Sequence, residues 1–240
     1  ELFSETLRFI TWKLVKENFD IIKIGCNKSL KTCTSFNSLN NNEIDLITRN
    51  NICSKCIKSN RIIKAENYLN ISEIDKKLDK KSKKFLNKVE ENLKKNNRIS
   101  DVIKFEFENI KIARLAFFDF AMKEKITIFS KLNGFLRKRY LEGIKDQLII
   151  LNMLKRLRKC FQLNYILYVN GNYSQNSLAN EYLSKFGIKS LSLEIQPTSN
   201  SIFSKVMLTE NRLPINQECL FKSMSDKESL DRISLIDFLK

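Results

Sequence analysis

Apolar residues recur at helical spacing through Leu7, Ile10, Leu14 and Val15, which predicts a helix over Glu5–Asn18. The pattern then changes. Ile21-Ile22-Lys23-Ile24 is a short, mostly β-branched run suited to a buried parallel strand. From Asn27 to Asn51 the chain is polar and rich in Asn, Ser and Thr, and it reads as a long loop. Ile74, Leu78, Phe85, Leu86, Val89 and Leu93 make an apolar stripe on an otherwise charged segment, the mark of an amphipathic helix. Val102–Phe107 has strand character. Ala113–Phe129 is apolar and aromatic, as a buried helix would be. A longer helix is expected from Gly134 to Phe161, with Leu136, Tyr140, Ile144, Leu148, Leu151, Leu154 and Leu157 on its core face.

The best-defined unit follows. Ile166–Val169 reads as a strand, Asn170–Tyr173 as a turn, and Ser174–Phe186 as a helix with Leu178, Ala179, Tyr182, Leu183 and Phe186 on its buried side. Gly187 stands where a helix cap requires a left-handed residue. Ile188–Leu193 is the next strand, reaching Glu194 and stopped by Pro197. Beyond it the tail is mixed, with a break at Pro214 and a helix expected over Leu230–Leu239. Strands joined through helices predict parallel pairing. The expected fold is α/β: a Rossmann-like, doubly wound, mostly parallel sheet containing Ile21–Ile24, Ile166–Val169 and Ile188–Leu193, with a helical middle section.

Composition narrows the function classes. Hydrophobic residues make up 42% of the 240 positions, enough for a sizeable core. The most apolar run, Leu115–Met122, is short and contains Asp119, so no segment approaches the roughly 18–20 residues of a membrane helix. No signal peptide is visible. The chain opens on Glu1, and a fragment of a longer cytoplasmic protein is expected. The net charge is +16, but Lys far outnumbers Arg and is interspersed with Asp and Glu. Nucleic-acid readers favour the planar Arg fork, so the charge reads as a lysine-rich solvated surface and no nucleic-acid partner is expected. The absence of histidine removes imidazole as base or ligand.

Two places could carry chemistry. Asn170-Gly171-Asn172-Tyr173-Ser174 lies at the carboxyl end of a strand, the edge at which open α/β sheets bind ligands. Gly171 permits a sharp turn, and Ser174 could cap the following helix, whose free N–H groups favour an anion or hydroxyl. Glu194 ends the neighbouring strand and could accept a hydroxyl proton. The second place is the cysteines. Cys26, Cys33, Cys53 and Cys56 have the spacing C-x6-C-x19-C-x2-C, which fits a structural thiolate zinc site, reduced thiols or a redox pair. Cys160 and Cys219 stand apart.

The run Ile166-Leu-Tyr-Val-Asn-Gly-Asn-Tyr-Ser, then Phe186-Gly-Ile-Lys and Leu193-Glu194, resembles capsule and surface-polysaccharide biosynthesis proteins of the GT-B glycosyltransferase type. The early segment Ile24-Gly-Cys-Asn-Lys-Ser-Leu-Lys-Thr-Cys, with Cys53-Ser-Lys-Cys56, is similar to the same group. Together the matches cover about a third of the chain. The family Gly that commonly follows the Glu is replaced here by Ile195-Gln196-Pro197. The resemblance implies an N-terminal, acceptor-side domain over 1–208 that includes the cysteine loop 26–56. Residues 209–240 would be a linker or the start of a C-terminal domain. It implies a sugar or glycolipid acceptor, with Asn170, Gly171, Asn172, Tyr173 and Ser174 in the substrate site and Glu194 as catalytic carboxylate. A nucleotide-sugar donor would bind mainly outside this chain, and peripheral membrane association would suit a glycolipid acceptor. Two other readings share these features: a basic, zinc-containing nucleic-acid module, and a non-catalytic sugar-binding protein of the same fold.

Overall fold

The computed structural model describes residues 2–26, 28–33, 46–59, 67–71, 75, 77–171, 173–196 and 205–210. The fold is α/β. Helix α1 (Leu2–Lys16) leads into strand β1 (Ile21–Ile24), and helix α2 (Leu46–Ser59) connects it to strand β2 (Tyr68–Ile71). β1 and β2 pair in parallel, Ile21 opposite Tyr68 and Ile24 opposite Ile71. Helices α3 (Lys80–Asn96), α4 (Ile112–Glu124) and α5 (Gly134–Cys160) follow. A second strand–helix–strand unit closes the described chain: strand β3 (Tyr165–Val169), helix α6 (Ser174–Leu183) and strand β4 (Lys189–Gln196). β3 and β4 pair in parallel, and strand β5 (Lys205–Glu210) adds antiparallel to β4.

The expected single sheet is therefore corrected. β1 belongs to a two-stranded sheet with β2, whereas β3, β4 and β5 form a separate three-stranded sheet. The parallel pairing of the late unit is as expected, but its outer strand is antiparallel and runs across the boundary expected after residue 208. The long polar loop is also corrected at its end: Leu46–Ser59 is a helix, so Cys53 and Cys56 stand one turn apart on α2. Val102–Phe107 is not a strand. A 3-10 turn at Ile99–Asp101 and a tight reversal, with Phe107 bridged to Ile110, occupy that stretch. Glu108 and Asn109 both take left-handed backbone there, with φ of 53° and 59°. The side chains of Val102 and Phe107 are buried all the same, so the hydrophobicity that suggested a strand serves the core from a turn. The expected helix at Leu230–Leu239, together with Pro197, Pro214 and Cys219, lies outside the described residues.

Local chemistry explains the ends of the helices. Asp79 caps α3 by accepting the Ser82 N–H at 2.7 Å, and Asn97 ends it in left-handed backbone. Asn133 caps α5 in the same way through the Leu136 N–H at 2.8 Å. Each such cap is worth about 1 kcal/mol. Gly187, at φ 73°, ends the 3-10 extension of α6 as expected. The core lies between α3, α4, α5 and α6 and includes Val89, Leu93, Ile110, Ile144, Leu151 and Leu178, all fully buried. Tyr140 sits at its centre, packed against Phe117 and Phe120, with its hydroxyl donating to the Ala113 carbonyl at 2.7 Å. Among the described residues no helix is long and apolar enough to cross a membrane.

Candidate functional site

The turn after β3 is built by its own side chains. Asn170 takes the left-handed step, φ 56°, a conformation Asn tolerates better than most residues. The Asn176 amide donates to the carbonyls of Val169 and Asn170 at 2.7 and 2.9 Å, and the Ser177 hydroxyl donates to the Gly171 carbonyl at 2.9 Å. The Gly171 N–H donates to Ser192 Oγ at 3.0 Å, and the Asn170 N–H to the Leu193 carbonyl at 3.0 Å. These bonds hold the turn against the end of β4. Glu194 follows immediately in that strand, opposite Met207 of β5. The side chain of Glu194, like Asn172, lies outside the described residues.

Ser174 does not cap α6. The cap position belongs to Tyr173, whose side chain makes no capping bond. The capping carboxylate comes instead from α4: the Ser174 N–H approaches Asp119 Oδ1 and Oδ2 at 3.4 and 3.3 Å, and Ser174 Oγ accepts from the Asp119 N–H at 3.4 Å. A carboxylate at a helix N-terminus is favourable because the unsatisfied N–H groups carry partial positive charge. Burial nevertheless prevails and pushes the Asp119 carboxyl above its ordinary range, with the Ser174 bonds opposing it.

Asp119 and Ser174 form one side of a cleft of about 180 Å³. α4 also contributes Lys123 and Glu124, the next turn of the helix beyond Asp119. α5 contributes Arg139, Glu142, Gly143 and Gln147. The opposite lip is the segment after β1, Lys31 to Cys33, with Arg49 of α2 behind it. Arg49 holds that lip by donating to the Leu30 carbonyl at 2.8 Å. The lip is also clasped from α5: the Thr32 N–H and hydroxyl donate to Asp146 Oδ2 at 2.5 and 2.8 Å. Burial pushes the Asp146 carboxyl up to about 6 in spite of these bonds and one from the Lys31 backbone.

Charge in the cleft is mixed. Arg139 pairs with Glu124 at 3.0 Å, nearly out of solvent. Glu124 Oε1 thereby has an ionic partner even though it lacks a well-aligned hydrogen bond. Lys123 is half-buried, and burial followed by the neighbouring Arg139 guanidinium lowers its ammonium pKa. Gln147 is 3% exposed, and its Oε1 has no hydrogen-bond donor.

The four cysteines expected to converge do not. Among the described residues no group of three or more Cys, Asp or Glu is placed to hold a metal ion. Cys26 follows β1 and packs against the core, Cys33 lines the cleft near Lys123, and Cys56 is exposed on α2 near Lys23. Cys53 and Cys56 stand on α2, and among the described residues the four do not form a metal-holding group.

Of the expected substrate residues, the structure brings Ser174 into the cleft. Asn170 and Gly171 shape the turn behind it. Asp119, Lys123, Arg139 and Gln147 escaped the sequence reading, although a signal existed. Asp119 interrupts the run Leu115-Ala-Phe-Phe-Asp-Phe-Ala-Met122, and Gln147 falls three residues after Ile144 and four before Leu151 on the apolar face of α5. Polar residues on buried helix faces either satisfy a neighbour or await a ligand. Compared with family models, curated proteins and solved structures, the chain finds no match.

Proposed function

We propose that this chain is the acceptor-side domain of a GT-B-type glycosyltransferase for capsule or surface polysaccharide, with the sugar acceptor bound in the cleft between α4, α5 and the N-terminus of α6. The observation that carries this reading is the Asp119 carboxylate. It stands in the cleft wall beside Ser174, at the carboxyl end of a parallel strand, and burial raises its proton affinity. A carboxylate so placed can take a hydroxyl proton, and the burial that raises its proton affinity favours that transfer. In the proposed reaction the acceptor hydroxyl oxygen bonds to the anomeric carbon of a nucleotide-sugar. The bond from that carbon to the nucleoside diphosphate breaks, the diphosphate leaves with the electron pair, and the hydroxyl proton passes to Asp119. Glu194, whose backbone lies in the strand beside the turn, stays in the proposal as the second carboxylate. The cleft is smaller than the roughly 300–1,000 Å³ of pockets that enclose whole drug-sized ligands, which suits one sugar ring and leaves the donor to bind mainly elsewhere.

The test is transfer of radiolabelled sugar from a panel of nucleotide-sugars to a bacterial envelope glycolipid extract, using the full-length protein. Asp119→Asn should lower turnover by about 10²–10⁴-fold, the usual contribution of a general base, with little change in acceptor binding. Wild-type turnover in the variant would refute the assignment of Asp119, and no transfer from any donor would refute the enzyme reading.

A further inference from the structure

Two groups in the cleft await partners of opposite kind. Gln147 Oε1 is a buried acceptor without a donor. Leaving such an atom unpaired costs about 1–3 kcal/mol, a cost that a ligand hydroxyl would remove. Lys123 is a half-buried ammonium that makes no ion pair or hydrogen bond among the described residues. Its neighbour Arg139 is of like charge, and the nearby Glu124 is already engaged with that guanidinium. Lys31 adds a further exposed ammonium at the lip. A bound anion would offset the desolvation and the repulsion that Lys123 now bears. The cleft therefore asks for one molecule that offers both a hydroxyl donor and a negative charge.

We infer that the cleft binds an acidic sugar, one carrying a carboxylate or phosphate ester, with the anionic group on Lys123 and Lys31 and a ring hydroxyl donating to Gln147 Oε1. This rests on the reading of the cleft as a sugar site and narrows its substrate class. Neither half of the ligand suffices. Inorganic phosphate at neutral pH brings charge without the ring hydroxyls of a sugar. A neutral hexose brings hydroxyls and leaves the ammonium unpaired. Asp119 and Glu142, also on the cleft wall, can accept further hydroxyls and would repel a second negative charge, so the ligand carries a single acidic group.

Calorimetric titration at pH 7 and low salt separates the possibilities, with glucose, glucuronate, glucose 6-phosphate and inorganic phosphate as probes. Glucuronate or glucose 6-phosphate should bind at least about 10-fold more tightly than either glucose or phosphate, as expected for one hydrogen bond to a charged group. The arm that binds identifies carboxylate or phosphate as the acidic group. Lys123→Gln should abolish that preference while leaving weak glucose binding, and Gln147→Leu should weaken both sugars; urea unfolding of each variant verifies that it folds. Equal affinity for glucose and the acidic sugars would overturn the inference and leave the sugar site standing. Phosphate binding as tightly as glucose 6-phosphate would overturn it in favour of a plain anion site. Failure of every sugar to bind would remove the inference and the sugar-transfer reading together.

Discussion

Asp146→Asn offers a direct test of the clasp that holds the cleft lip. Asp146 is 1% exposed, and burial raises its carboxyl from the ordinary 3.8 to about 6. A carboxyl that binds its proton more tightly when folded contributes stability at low pH and loses it as pH rises from the unfolded pKa through the folded one. The window is therefore pH 3.8 to about 6, and at about 1.36 kcal/mol per pH unit the loss amounts to about 3 kcal/mol. Asparagine keeps the shape. Its carbonyl oxygen can take the two Thr32 donors, both of which now bind Oδ2, and it does not titrate. Asp119 shifts upward and Asp75 and Asp79 downward in both proteins, so these contributions cancel in the difference. Urea unfolding followed by circular dichroism at pH 4, 5, 6 and 7 should show the wild type losing about 2 kcal/mol relative to Asp146→Asn across that range. A difference that stays flat would refute the reasoning. A slope of opposite sign would mean that the hydrogen bonds from Thr32 and Lys31 outweigh desolvation.

Two smaller effects follow from the packing of α5. A Cβ at Gly143 would meet Thr32 Cγ2 at 3.8 Å and Ala116 Cβ at 3.9 Å, both ordinary contacts, so Gly143→Ala should raise unfolding stability by about 0.5–1 kcal/mol through helix propensity. A fall in the urea midpoint would show that the cleft wall has no room there. Tyr140→Phe keeps the ring against Phe117 and Phe120 and removes the bond to the Ala113 carbonyl; a loss of about 1 kcal/mol is expected, and no change would show that this hydroxyl contributes nothing net.

Periodicity served well wherever one helix face meets the core. The stripe through Phe85, Val89 and Leu93 and that through Tyr140, Ile144, Leu148 and Leu151 are buried as their spacing indicates. The late strand–helix–strand unit was legible for the same reason, because β-branched runs and Gly187 are local signals. Strand partnership is not local. Ile21–Ile24 looks like any parallel strand, and nothing in it distinguishes β2 from β3 as neighbour. β2 itself, Tyr68-Leu-Asn-Ile71, is four residues long and too short to register against its polar surroundings. The same limit hid the cleft. Ser174 was visible as a residue at a strand's carboxyl end, but its companions Asp119 and Gln147 come from helices distant in sequence, and only packing assembles them. The cysteines run in the other direction: their spacing suggests convergence, and among the described residues they form no metal-holding group.

The separation of the two sheets has a mechanical meaning. In a continuous sheet, rows of main-chain hydrogen bonds would lock the two lips of a crevice at one distance. Here Thr32 follows a strand of the first sheet and Ser174 a strand of the second, and among the described residues no strand pairing joins those sheets. The Asp146 clasp reaches one lip and the Asp119 contact the other, both carried by the pair α4 and α5, beside the apolar core on which Ile22 and Ile166 also pack. Two carboxylates on neighbouring helices thus tie side chains and backbone of both lips to a common helical strut. Loss of the Asp146 bonds would free the Thr32 lip without breaking a strand pair.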